Sequence, residues 1–166
     1  MSLEIHIFLP SSALPSRDAW QSEIERLGFP TVLEQGFNPL VDRGFRPCLF
    51  KGKPGGFEFL YGRSSEVLNT YSSFTEKIGR CDGAASFIWH SDLQDLGVSI
   101  TASAALASLT GGFYFYPDDD IFLSASESIE QTRKDLAQLD SVSTSRPVRS
   151  RRPATTKPSK PWWKIW

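Results

Sequence analysis

The chain has 166 residues, of which 40% are apolar and 13% aromatic. That suffices for one domain with its own core and excludes a collagenous, disulfide-framework or wholly disordered chain. The net charge of −1 hides an asymmetry: residues 141–166 carry seven basic and no acidic side chains, residues 1–140 eleven basic and nineteen acidic, a net of −8.

Residues 3–9 read as a strand, with Leu3, Ile5, Ile7 and Leu9 alternating against Glu4, His6 and Phe8. Ser16 predicts the N-cap of a helix to Leu27, with Trp20, Ile24 and Leu27 at helical spacing and Gly28 as its stop. A short strand over 29–34 and a loop over 36–44 follow. The clearest hairpin pairs residues 46–51 with 57–61 across a turn placed at 52–56. In its second strand Phe57, Phe59 and Tyr61 share one face, and Glu58 and Leu60 the other. A helix is predicted over 64–78, ended by Gly79.

Residues 84–90 read as a central strand, after which Ser91 or Asp92 caps a helix to about Leu109. That helix is apolar nearly all round, which predicts burial, and Gly111-Gly112 ends it. No charge occurs from Leu96 to Pro117, a length that could span a bilayer, but five Ser and Thr residues and the glycine pair favour a buried helix followed by a strand. Residues 113–116 form that strand, 117–120 a turn and 121–123 a short extension. Ser124 and Glu127 make a capping box opening a last helix with Ile129, Thr132, Leu136 and Leu139 on one face. The order predicts an α+β domain over residues 1–140, a mixed or largely antiparallel sheet with helices packed on it. Ser, Thr, Pro, Arg and Lys dominate residues 141–161, predicting a flexible, disordered C-terminal tail, and the chain closes on Trp162-Trp163-Lys164-Ile165-Trp166.

The candidate chemistry is sparse. His6, His90, Cys48 and Cys81 lack zinc spacing, and no phosphate-loop or nucleophile-elbow motif occurs, so no metal, cofactor or catalytic residue is expected. With only two cysteines and no signal peptide recognisable ahead of the first apolar run, a cytoplasmic protein is expected. His90-Ser91-Asp92 lies where a strand meets a helix, a frequent place for active sites, although Ser and Asp are equally the preferred caps. A pocket gathering His90, Asp92 and Asp118 would favour an enzyme. Asp118, Asp119 and Asp120 read as a solvated turn or a hard-cation site. Glu58, mid-strand between two phenylalanines, is either ion-paired to Arg46 or Lys51 or a charged anchor for a partner. The tail reads as a solvated segment whose tryptophans pack loosely on their own domain, as a docking motif for a protein groove through Trp162, Trp163 and Trp166, or as a membrane-surface segment, more than as a nucleic-acid binder.

Three stretches, residues 20–28 (WQSEIERLG), 46–59 (RPCLFKGKPGGFEF) and 86–92 (SFIWHSD) with the following helix and its double glycine, resemble small bacterial proteins that include immunity proteins of polymorphic and type VI toxin systems. The resemblance covers residues 3–140, with Asp95 as the acidic residue early in the long helix. It implies a non-catalytic α+β domain that binds a cognate toxin tightly. The carboxylates Glu58, Asp92, Asp95, Asp118, Asp119 and Asp120 and the three terminal tryptophans are the expected partner-binding residues.

Overall fold

The computed structural model describes residues 2–144. Strands β1 (Leu3–Leu9), β2 (Thr31–Val32), β3 (Gly44–Phe50), β4 (Lys53–Arg63), β5 (Gly83–Trp89), β6 (Phe113–Tyr116) and β7 (Ile121–Leu123) form one sheet in the order β2-β3-β4-β5-β1-β6-β7. Every pairing is antiparallel. Helices α1 (Arg17–Arg26), α3 (Leu93–Thr110) and α4 (Ala125–Thr144) belong to the main core, and α2 (Ser64–Leu68) packs on the second sheet face.

The main core lies between one sheet face and α3. Ile5, Ile7 and Leu9 of β1, Phe57 and Phe59 of β4, and Phe87 and Trp89 of β5 all point into it, as strand alternation requires. From α1, Trp20 enters this core fully buried, its ring against Phe37, Phe59 and Phe87 and its Nε1–H donating to the Ala102 carbonyl at 2.9 Å. α3 is buried continuously from Leu96 to Ala107. Its hydroxyls are satisfied within the fold: Ser99 donates to the Asp95 carbonyl and Thr101 to the Gly97 carbonyl, both at 2.7 Å. No helix among the described residues is long and apolar enough to cross a membrane.

The capping signals place the helix starts. Ser16 Oγ accepts from the Ala19 N–H, Asp92 Oδ1 from the Gln94 N–H, and Ser124 and Glu127 exchange their capping-box bonds.

Three expectations change. The β3–β4 turn is two residues, Lys51 and Gly52, both at positive φ, and the residues from Lys53 to Gly56 pair within the sheet. Gly55 and Gly56 lack side chains because neighbours close over them: a Cβ would lie 3.1 Å from Gln94 Cβ at Gly55 and 2.5 Å from the Phe45 ring at Gly56. The helix expected over 64–78 stops at Leu68. Phe74 and Ile78 still bury, with Phe8, Cys81, Ala84 and Phe115, but from turns and a short 3-10 segment, so apolar spacing there imitates a helix that does not form. α4 runs to Thr144, four residues past the expected boundary, and buries Thr132 and Leu139 more fully than Ile129 and Leu136.

Candidate functional site

Alternation decides what each strand shows on the sheet's other face. Phe45, Pro47 and Leu49 of β3 point opposite to the buried Cys48 and Phe50, and Glu58 and Leu60 of β4 opposite to the buried Phe57 and Phe59. The 64–82 segment covers only the part of this face around Phe8, Ala84 and Phe115. Over β2, β3 and β4 no described residue covers the face: Val32, Phe45, Leu49 and Leu60 are 45%, 55%, 41% and 46% exposed. An open sheet face is ordinarily polar, so four large apolar residues there depart from the usual alternation.

Glu58 stands within this patch. The register puts it between Phe45 and Ile88, and Ile88 beside Glu4. It is exposed, and its expected cations are engaged elsewhere. Arg46 pairs with Glu34 at 3.2 Å and Asp42 at 3.8 Å, and Lys51 pairs with Asp140 of α4. The uncovered face explains the difference, because a carboxylate in water needs no structural partner. Beside the patch a groove of about 500 Å³ runs between β2 and the β3–β4 hairpin, with Val32, Phe45, Leu49 and Pro54 as apolar walls and Glu34 and Asp95 among its lining.

The other expected carboxylates have local roles. Asp92 caps α3. Asp95 accepts from the Gly56 N–H at 2.9 Å, and burial raises its carboxyl above the usual range. Asp118 and Asp119 form a short 3-10 turn, both raised by burial, and Asp120 closes it at φ 54°. Among the described residues no group of three or more His, Cys, Asp or Glu is placed to hold a metal ion. Cys48 lies in the main core, where burial pushes its thiol up to about 12, and Cys81 in the smaller one. Trp162, Trp163 and Trp166 lie outside the described residues.

A polar cluster that sequence reasoning missed lies on the same sheet face. His6 and Ser86 are eighty residues apart and face each other across β1 and β5, with His6 Nδ1 2.8 Å from Ser86 Oγ. His6 Nε2 stands 3.4 Å from Glu4 Oε1, in contact but not aligned as a hydrogen bond, and Tyr71 Oη donates to Glu4 Oε1 at 2.9 Å. His6 and Tyr71 hold the Glu4 carboxyl below its usual range, and burial followed by Glu4 pushes the Tyr71 phenol up to about 12. These groups line a cleft of about 510 Å³ with Arg43, Arg63 and Glu66, and His90, Asp92 and Asp118 are not among its lining residues. The Ser-His-Glu order resembles an acyl-transfer triad, but Ser86 sits mid-strand with partners on both sides, His6 and Leu60, rather than on an exposed strand-to-helix turn.

The chain matches no protein-family model, no curated protein and no solved structure.

Proposed function

We propose that this is a non-catalytic protein-binding domain that recognises a partner through the sheet face around Glu58, in the manner of an immunity-type inhibitor of a cognate bacterial toxin, acting in the cytoplasm. The observation that carries the reading is the patch itself: Val32, Phe45, Leu49 and Leu60 exposed together on one sheet face with one carboxylate among them. Apolar side chains around a single charge have the composition of an interface centre, where burial supplies affinity and the charge fixes register. The net charge of −8 on residues 1–140 supports a cationic partner, since opposite net charges speed encounter. The triad-like cluster carries no competing hydrolase reading, because Ser86 is held mid-strand between two neighbours rather than presented on a turn.

The test is co-expression with the protein encoded beside this chain. The wild type restores growth, and Leu49→Lys with Leu60→Lys abolishes protection while circular dichroism stays the same. Undiminished protection by that folded variant sinks the reading.

A further inference from the structure

The apolar groove beside the open face has a matching segment in the same chain. We propose that residues 162–166 (WWKIW) seat in the groove between β2 and the β3–β4 hairpin of their own domain, masking the face that a partner would use. The proposal deepens the partner-binding reading by giving that face a built-in competitor.

α4 sets where the described chain leaves the domain. α4 ends at Thr144, and one turn earlier its Asp140 pairs with Lys51 in the β3–β4 turn. Leu49 and Pro54, two groove walls, flank that turn and face each other across the hairpin. The last described residue, Thr144, therefore lies one helical turn beyond a contact with the turn that joins two groove walls. The seventeen residues from 145 to 161 span at most about 55 Å at roughly 3.3 Å each, whereas Lys51 is only about 7 Å along the strand from Leu49 and about 10 Å from Pro54. Length is no obstacle.

Groove and segment are also chemically complementary. The groove offers apolar walls with hydrogen-bond acceptors nearby. Glu34 and Asp95 line it, and carboxylate oxygens accept hydrogen bonds. The pentapeptide is the converse, with apolar surface on Trp162, Trp163, Ile165 and Trp166, three indole N–H donors, one ammonium on Lys164 and no side-chain acceptor. A tryptophan buries a large area while needing a single acceptor, which is what a groove of this kind supplies.

Their charges are opposite as well. Residues 141–166 carry +7 and residues 1–140 carry −8, so the segment is attracted to the domain at low salt. Tethering adds an effective concentration in the millimolar range, which lets a weak docking motif stay engaged.

The experiment uses the full chain labelled with 5-fluorotryptophan, its five fluorine resonances assigned by single Trp→Phe variants. Trp20 and Trp89 report on the core. Resonances of Trp162, Trp163 and Trp166 are expected away from their positions in a synthetic peptide of residues 157–166. They return to those positions in the Phe45→Ser/Leu49→Ser variant, with the Trp20 and Trp89 resonances unmoved. Should that variant fail to fold, Val32→Ser with Leu49→Ser makes the same test. Peptide-like positions in the wild type overturn the proposal, as does a displacement that survives removal of the groove walls. A displacement that grows with protein concentration also overturns it, since a neighbouring copy would then fill the groove. Docking is read with no partner present, so its failure leaves the partner-binding reading standing, and a face that protects against no toxin leaves docking standing.

Discussion

Replacing Trp20 and Trp89 in turn by phenylalanine should separate two indoles that are about equally buried. Each exchange shrinks a core ring and costs about 1 kcal/mol of lost burial at roughly 25 cal/mol per Å², plus whatever void the core does not close. The difference lies in the N–H. Trp20 donates to the Ala102 carbonyl at 2.9 Å, so Trp20→Phe forfeits a further ~1 kcal/mol, for a total of about 2–3 kcal/mol. The Trp89 Nε1 is buried and meets no acceptor among the described residues. Removing an unsatisfied buried donor recovers about 1–3 kcal/mol, so Trp89→Phe should fall within about 1 kcal/mol of wild type or stabilise the protein. Equilibrium unfolding in guanidinium, monitored by circular dichroism with unchanged m-values, measures both. Equal losses for the two variants would refute the assignment of hydrogen-bonding state as the deciding effect.

Glu4 is held below its unfolded value of 4.5 by His6 and Tyr71. The stability this adds is fully present above that value and is lost as pH falls through the lower folded pKa, so Glu4→Gln should flatten the acid limb of a denaturation series below about pH 4.5. Asp95 has the opposite sign, because burial raises its carboxyl and the ionised form opposes folding at neutral pH. Asp95→Asn keeps the acceptor for the Gly56 N–H, so it should raise the melting midpoint at neutral pH, with the gap closing in acid; a loss at every pH would contradict this. Cys48 and Cys81 are buried with raised thiol pKa values, so a disulfide reagent should find two reactive thiols only in denaturant, and rapid native labelling would place one of them at the surface.

The elements legible in sequence were those whose signals are local. β1 and β5 showed alternation or dense apolarity, α3 was apolar all round, and Ser16, Asp92 and the Ser124–Glu127 box marked helix starts that the hydrogen bonds reproduce. The Gly55-Gly56 pair misled because glycine serves turns and close approaches alike, and here a phenylalanine ring and the start of α3 require it. The 64–78 segment misled because Phe74 and Ile78 repeat at helical spacing while the backbone turns aside. Of the site, the sequence placed Glu58 and Leu60 on a shared face but not that no described residue covers it, since coverage depends on where a segment distant in sequence comes to rest. The His6–Ser86 contact was illegible for the same reason, being a product of register between β1 and β5.

The sheet order has a consequence for synthesis. β1, nearest the N-terminus, lies between β5 and β6, so both of its neighbours are made long after it. Ile5, Ile7, Phe8 and Leu9 are wholly buried in the finished protein, yet the residues opposite them on β5 follow some eighty positions later. At about 5–20 residues per second a ribosome takes roughly 4–16 s to cover that distance. During that interval a strongly apolar strand waits outside the exit tunnel with no partner strand. Nascent chains of this protein should therefore be clients of ribosome-associated chaperones that shield short apolar segments, and slowing translation between β1 and β5 should lower the yield of folded protein.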